Sequence, residues 1–434
     1  MSNVKKKTDD VFGITRDIPL NYVARRAVDE KFIENLTREK HLVVHGSSKQ
    51  GKTTLRKHCL NESDYIVATC SNRWSIRDLN AAILKAAGFE ITQSTSRTQS
   101  GDAKVKASIH VGIAALESGL GAGASTTNTR KPLELDLGDV NDVITALNSA
   151  EFDRYIVLED FHYLPIETQK DFAVSLKAFH ENSNFCFIIV GVWLDENRLT
   201  VYNGDLSGRV VSINADNWTD VELREVISRG EELLGVTFDP EFVNGLISNC
   251  EGSVAILQEA SNQACKNANV FETRGKNETI AAGVDAKELV KEVVSQQGGR
   301  YTSFLIQFAE GFQQTELEMY RWLLFAVLTT PVEILKDGLR QAEIRHSINS
   351  SHPQSPLNPG NITQALQSVA KLQVTKEIKP IILDYDETNL RLKVVDRGFL
   401  IWLAHQDVPS LLTTLGLPGQ GVSSAAHQGA MNVD

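Results

Sequence analysis

One loop motif constrains the fold of this chain more than any other feature. Residues 46–53 read GSSKQGKT and fit the pattern G-x-x-x-x-G-K-[ST] without departure. Glycines at both ends let the backbone turn tightly and aim its N–H groups inward, where the lysine adds a positive charge. The pattern predicts a loop that holds a phosphate chain between a β-strand and the start of a helix.

The flanking residues agree with that context. HLVVH precedes the loop as a strand would, and KTTLRKHCL follows it as a helix would. We therefore predict ATP as the ligand, with Mg²⁺ bound by the hydroxyl of Thr53. The predicted nucleotide contacts in this segment are Gly46, Ser47, Ser48, Lys49, Gln50, Gly51, Lys52, Thr53 and Thr54.

A pair of acidic residues ends a second apolar run, RYIVLED. A buried strand that ends in acids beside a phosphate loop supplies a metal ligand and a group that polarises water. We expect Glu159 to support Mg²⁺ and Asp160 to orient the attacking water, both as catalytic residues. The usual order in hydrolysing proteins is Asp and then Glu, so the reversed order and the shorter Asp predict slow ATP hydrolysis.

Strand-like and helix-like stretches alternate along the first half of the chain. The strand-like ones are HLVVH, YIVATC, RYIVLED, FCFIIVGVW and RVVSIN. This alternation is typical of an α/β fold with a parallel sheet flanked by helices. Residues 91–135 interrupt it with the alternating run KVKASIHVGIA, which predicts an inserted hairpin. The hairpin is either a plain surface feature or a surface for oligomerisation or partner binding.

Composition and periodicity divide the chain into six parts. We predict a flexible tail at 1–15, a P-loop core at 16–215, a helical unit at 216–270, a linker at 271–312, a winged-helix domain at 313–407 and a flexible tail at 408–434. Three amphipathic stretches followed by a hairpin and a closing helix indicate the winged helix. Residues 315–406 hold ten basic and ten acidic side chains, which favours protein contacts or autoinhibition over DNA binding and leaves both open.

Composition argues against several classes of protein. Hydrophobic residues make up 42% of the 434 and charged residues 23%, as in globular proteins. The longest apolar run, FCFIIVGVWL, is well short of the ~20 residues of a membrane helix. The net charge of −11 speaks against a protein coated in nucleic acid. Five scattered cysteines without a CxxC pair fit a reducing compartment, so we expect a cytoplasmic protein with no signal peptide.

Together these motifs resemble the AAA+ superfamily and its STAND-type relatives, above all the origin-recognition-like and transposition-regulator ATPases of prokaryotes. The likeness is carried by NYVARR, GSSKQGKTTL, VLEDFHYL, IIVGVW with NGDLSGR, and the helical stretch 218–260. It implies that Tyr22 and Val23 border the adenine and that the helical unit closes over the nucleotide. Residues 252–255 read GSVA and lack the arginine usual in such a lid.

The resemblance also implies a polar sensor of the γ-phosphate and an arginine given to a neighbouring subunit. The glycine and tryptophan after FIIV do not suit the sensor role, which leaves Asp195 and Asn197. Arg209, just before the last strand, is the candidate catalytic arginine, and Arg198 is the second candidate. The alternative for Arg209 is a surface arginine held in a salt bridge.

The function predicted from this set is a slow Mg-ATP-dependent ATPase that acts as a homo-oligomeric switch on a partner protein. Many prokaryotic relatives serve anti-phage defence or mobile elements, so the resemblance implies such a setting. The alternative is a DNA-binding loader or transposition regulator that assembles on DNA through its winged helix. A third hypothesis is a nucleotide sensor that does not hydrolyse ATP.

Overall fold

A computed structural model describes residues 5–14, 17–36, 40–97, 103–110, 130–216, 218–275 and 277–419. Its strands are β1 His41–His45, β2 Tyr65–Thr69, β3 Phe89–Arg97, β4 Ala103–His110, β5 Arg130–Leu135, β6 Tyr155–Glu159, β7 Phe187–Val190, β8 Val210–Asn214, β9 Val236–Phe238, β10 Glu278–Ile280, β11 Leu339–Arg340, β12 Leu383–Asp386 and β13 Arg391–Val394. Its α-helices are α1 Thr8–Phe12, α2 Lys31–Leu36, α3 Lys52–Cys59, α4 Ile76–Ala86, α5 Val140–Ser149, α6 Ile166–Asn182, α7 Arg198–Tyr202, α8 Asp220–Leu234, α9 Pro240–Asn249, α10 Val254–Asn267, α11 Ala286–Ser295, α12 Gly298–Ala309, α13 Met319–Leu328, α14 Val332–Asp337, α15 Gln341–Ser351, α16 Pro359–Gln367, α17 Val369–Thr375, α18 Arg397–Ala404 and α19 Val408–Thr414.

A five-stranded parallel sheet forms the centre of the N-terminal part, in the order β2-β6-β7-β1-β8. All five residues of β1 are buried, and apolar clusters lie on both faces of the sheet. Strands covered on both faces require continuous apolar runs, which is what the sequence shows. The predicted α/β class with a parallel sheet is confirmed. Because the strands are parallel, the segments that follow β1, β6, β7 and β8 meet at one edge.

Three segments expected to lack structure are folded. In the expected N-terminal tail, α1 buries Val11 and Phe12 among apolar side chains of the lid. The expected linker contains α11 and α12, whose Leu289 and Phe304 join the same cluster. The expected C-terminal tail begins with α19, where Leu412 is buried. Each segment contains amphipathic helix of one to three turns. Polar residues flank these short stretches, so the sequence pattern did not predict a helix there. Residues 1–4, 15–16 and 420–434 lie outside the described part of the chain.

The insert after α4 contains three strands, where the sequence predicted a two-stranded hairpin. They form an antiparallel sheet in the order β3-β4-β5. The polar stretch 91–97 belongs to β3. Residues 98–102 and 111–129 lie outside the described residues. The lid, residues 218–270, holds α8–α10 and also β9, which the purely helical prediction missed; β9 pairs with β10.

The C-terminal unit, residues 313–419, contains α13–α19 and a small antiparallel sheet in the order β11-β13-β12. Its apolar side chains form one continuous core with those of the lid. A second apolar cluster joins the C-terminal unit to the N-terminal part. Its buried members are Tyr163, Val192, Val374, Ile381 and Val395. The C-terminal unit therefore packs at the sheet edge that carries the glycine-rich loop. Among the described residues, no helix combines the length and apolarity that crossing a bilayer requires.

Candidate nucleotide site

The glycine-rich loop between β1 and α3 curls around its own lysine. Gly46, Lys49 and Gly51 have φ angles of 138°, 60° and 81°, so the loop turns where L side chains are disfavoured. The Nζ of Lys52 is buried and donates to the carbonyls of Gly46 at 2.9 Å and Ser47 at 2.5 Å. Within the described residues, the backbone N–H groups of 49–53 have no hydrogen-bond partner. Unpaired N–H groups beside a cation at a helix N-terminus form an anion site.

A cavity of about 350 Å³ lies over this loop, between the sheet edge and the lid. Tyr22 and Val23, predicted to border the adenine, line it from the N-terminal side. Val254 and Ala255 line it from the lid. The side chain of Asn21 exchanges hydrogen bonds of 3.0 and 2.9 Å with Gln258 and so ties the two walls together. An apolar end with a few polar groups suits a nucleobase.

The two acids after β6 have different surroundings. Glu159 Oε1 accepts from Arg56 Nε at 3.0 Å, and both side chains are almost buried. Burial raises the pKa of Glu159, and Arg56 opposes that rise. The side chain of Asp160 has no hydrogen bond or salt bridge with the described residues and lines the cavity. Burial raises the pKa of Asp160 too, against the nearby charges of Lys379 and Lys52. Glu159 is thus fixed by a cation, whereas Asp160 is free to contact a ligand.

Two further side chains of the cavity wall carry buried polar atoms without partners among the described residues. They are the amide of Gln50 and Nε2 of His162. Such orphaned atoms are costly in a dry pocket, so they fit a polar ligand. The described residues contain no cluster of three or more His, Cys, Asp or Glu side chains able to hold a metal ion. Thr53 and Glu159 could therefore hold Mg²⁺ only with oxygens from a phosphate chain or from water.

No protein-family model matches this chain, and neither does any curated protein. Solved structures do match. A Walker-type ATPase of Pyrococcus abyssi aligns over 91% of this chain and 99% of its own, with a TM-score of 0.53 and 12% identity. The Orc1 protein of Aeropyrum pernix, solved in complex with DNA, aligns over 95% and 100% with a TM-score of 0.43 and 12% identity. Cdc6p of Pyrobaculum aerophilum aligns over 94% and 97% with a TM-score of 0.39 and 12% identity.

The first of these likenesses, together with the strand order and the loop, decides the architecture. The chain has the fold of a P-loop ATPase. At 12% identity the likeness concerns the fold alone, because one fold can carry many activities.

In this P-loop ATPase fold, neither expected γ-phosphate sensor lines the cavity. Asp195 accepts from Arg198 at 3.0 Å and from Lys393 at 3.3 Å, and Asn197 stands at the start of α7. After β7 the ring of Trp193 packs on Gly191, where a Cβ atom would lie 1.5 Å from the ring. The sensor prediction for Asp195 and Asn197 does not agree with this geometry.

The two candidate arginines lie in different places. Arg198 is buried and pairs with Asp384 of the C-terminal unit as well as with Asp195, so it is not available to a neighbouring subunit in this arrangement. Arg209 is partly exposed and pairs with Glu181 at 2.8 Å. It precedes β8, so it lies at the sheet edge opposite its own phosphate loop. Both alternatives for Arg209, a salt-bridged surface residue and a group for a neighbour's site, stay open.

The C-terminal unit contacts the phosphate loop directly, which the sequence did not reveal. The N–H of Ser48 donates to the carbonyl of Val395 at 3.0 Å. Ser47 donates from its N–H and its hydroxyl to Asp216, at 2.8 and 2.7 Å. Arg397 lies 3.8 Å from Asp216 and donates to the carbonyl of Glu251 at 2.7 Å. Only Asp216 had a usable signal in the sequence, since it is an acid just after the last core strand.

Proposed function

We propose that this chain is a Mg-ATP-dependent ATPase of slow turnover that works as an oligomeric switch on a partner protein. The observation that carries the proposal is the hydrogen bond from Ser48 of the phosphate loop to Val395 of the C-terminal unit. A ligand that rearranges the loop must change this contact, and undocking of the C-terminal unit must change the loop. Nucleotide state and domain arrangement are thereby linked.

Arg397 extends the link to the lid. It bridges the lid carbonyl of Glu251 and the carboxylate of Asp216, which holds Ser47 in the loop. Its guanidinium lies 3.4 Å from the position that a Cβ atom on Gly252 would take. Arg397 thus reaches the lid segment in which the usual arginine is missing. We propose that Arg397 couples the lid to the core while the C-terminal unit is docked.

The residues of the cavity can support hydrolysis. Lys52 would offset phosphate charge, and Thr53 and Glu159 would hold Mg²⁺. Asp160 orients a water for attack and accepts its proton. Bound Mg-ATP supplies the reactive phosphoanhydride and the cation that draws charge from it. The shorter reach of Asp160, compared with a glutamate, gives the slow rate.

The C-terminal unit is proposed to be a winged helix that makes protein contacts. The basic side chains of its hairpin already bind acidic side chains and carbonyl groups of the same chain. In this arrangement they are not available to DNA phosphates, which weighs against the DNA-binding alternative. Lys393 pairs with Asp386 at 2.9 Å and with Asp195, and Arg391 donates to the carbonyl of Gly338 at 2.8 Å. The implied setting of anti-phage defence is part of the same proposal, and phage challenge of cells that carry Lys52→Ala would test it.

The central test measures nucleotide binding and domain docking together. We expect Lys52→Ala to abolish the binding of fluorescent ATP, because the loop loses its cation, whereas Lys170→Ala on the exposed side of α6 should bind as wild type. In wild type, ATP should change small-angle scattering and protease sensitivity between the lid and the C-terminal unit. If scattering and protease sensitivity stay unchanged at saturating ATP while ATP still binds, the nucleotide site stands and the switch is rejected.

A further inference from the structure

Neither side chain that the sequence predicted as the sensor of the terminal phosphate lies at the cavity. Neither Asp195 nor Asn197 lines the cavity, and the end of β7 offers glycine and valine there. A different side chain must distinguish a triphosphate from a diphosphate if this fold works as a switch. His162 is the candidate, two residues beyond Asp160 in the sequence EDFH.

The hydrogen bonds of His162 fix its tautomer. Its Nδ1 accepts the backbone N–H of Val192 at 3.2 Å, so the proton of the neutral ring is on Nε2. Nε2 is buried and has no partner among the described residues. Burial, with the charge of Lys52 second, holds the pKa of His162 well below its usual value, so the ring stays neutral. His162 therefore presents one uncharged N–H donor that nothing described in the chain satisfies.

The position of His162 suits contact with a phosphate. It lines the same cavity as Lys52 and Asp160, and it is 4% exposed. Val192, which fixes its ring, comes just after β7, the strand from which a sensor was expected. The ring of His162 thus follows the acidic end of β6 by two residues. It is also hydrogen-bonded to the segment after β7, where a sensor was expected.

We propose that His162, through Nε2–H, contacts the terminal phosphate of the bound triphosphate and replaces the sensor absent after β7. This inference rests on the proposed function, because it assumes that the cavity binds Mg-ATP. A bond that exists only with the third phosphate lets the protein distinguish ATP from ADP. A neutral donor makes that distinction without adding a second buried charge beside Lys52.

Two substitutions separate the two nitrogens of the ring. In His162→Asn the side-chain oxygen can still accept from Val192 N–H, but the Nε2 donor is lost. In His162→Gln an amide N–H can reach the place of Nε2, and the bond to Val192 is given up. Thermal melting of both variants reports whether the fold is intact.

The experiment measures the Kd of ADP and of a non-hydrolysable ATP analogue, both with Mg²⁺, by titration calorimetry on the full chain. A hydrogen bond to a charged group is worth ~1.5–3 kcal/mol, so His162→Asn should weaken analogue binding about tenfold or more and leave the Kd of ADP unchanged. His162→Gln should keep most of the preference for the analogue.

Four outcomes would overturn the inference or its basis. If His162→Asn weakens the binding of both nucleotides equally, His162 is a structural residue. If it weakens the binding of neither, His162 does not contact the phosphate. Loss of the analogue preference in His162→Gln, with the preference kept in His162→Asn, would assign the role to the Val192 bond. Failure of wild type to bind either nucleotide would instead reject the proposed function.

Discussion

At the scale of single residues, two neighbouring acids of similar chemistry have different surroundings. Glu159 is held by Arg56, four positions after Lys52 on α3. Arg56 also stacks over Tyr65, with its guanidinium 4.5 Å from the ring centre. Asp160 has left-handed backbone angles, φ 58° and ψ 32°, which Asp and Asn tolerate better than most residues. The pair therefore combines a fixed carboxylate and a free one.

This contrast gives a first prediction, for Asp160→Asn. The change removes the charge and keeps both the shape and the tolerance of the left-handed conformation. We expect phosphate release to fall by ~10²-fold or more, because a positioned base is lost, while ADP affinity stays within about threefold. A phosphate-release assay beside nucleotide titration checks this, with the exposed Asp153→Asn as the matched control. An unchanged rate would exclude Asp160 as the catalytic base.

A second residue, Asp195, predicts a pH dependence of stability. Burial raises its pKa from 3.8 to about 6, and the adjacent carboxyl of Asp386 adds to the rise. The folded state thus holds the proton more tightly than the unfolded state. The stability from this group is full below pH 4 and is lost as the pH rises through about 6.

Asp195→Asn isolates that effect, because asparagine resembles the protonated acid and can donate to Asp386. Urea denaturation at pH 4.5 and 7.5 compares the free energies of unfolding of wild type and variant. The full shift corresponds to ~3 kcal/mol, at ~1.4 kcal/mol for each pH unit, and about a third of it is already lost at pH 4.5. The advantage of the variant over wild type should therefore grow by ~2 kcal/mol between pH 4.5 and pH 7.5. A difference that is the same at both pH values would contradict the assignment.

At the scale of elements, the hairpin β12–β13 and the segment after β7 meet in a buried ionic cluster. Arg198 lies between Asp195 and Asp384, and Lys393 pairs with Asp195 and Asp386. Removal of one partner from a buried ion pair leaves an uncompensated charge. The cluster therefore fixes where the C-terminal unit docks.

Arg198→Ala should accordingly release the C-terminal unit. We expect a loss of ~3–5 kcal/mol in the interface, since two carboxylates lose their shared partner. Limited proteolysis and scattering would show a loosened C-terminal unit. Arg73→Ala is the matched control, because Arg73 pairs with Glu377 across the same interface at 3.9 Å but is 84% exposed. Equal effects of the two substitutions would reject the buried cluster as the docking determinant.

At the scale of the whole molecule, the proposed oligomer gives Arg209 a role that can be tested. Arg209 lies at the sheet edge away from its own loop, so any catalytic role it has would be in another copy of the chain. We expect Arg209→Ala to bind ATP as wild type and to hydrolyse it at least ~10-fold more slowly, because the charge that stabilises the transition state is lost. If ATPase activity rises linearly with protein concentration and Arg209→Ala does not change it, Arg209 is only a surface residue held in a salt bridge.

A mixing experiment sharpens this prediction. Lys52→Ala supplies Arg209 without a working loop, and Arg209→Ala supplies a loop without the arginine. Each variant alone should be inactive or slow, whereas their mixture should regain part of the wild-type rate at interfaces that join the two intact halves. No recovery in a mixture that co-elutes by size exclusion would count against an arginine shared between subunits.

The sequence by itself determined the phosphate loop, the acidic strand end and the five strands of the parallel sheet. These features are local, because glycine positions, buried apolar runs and strand ends are defined within a few residues of the chain. Tertiary structure decided the pairing of Arg56 with Glu159, the burial of Arg198 against Asp384 and the contact of Ser48 with Val395. It also folded α1, α11, α12 and α19, because their apolar faces are covered only when the lid and the C-terminal unit pack into one core. Contacts between residues far apart in the chain depend on that packing, and no local pattern encodes which partners it brings together.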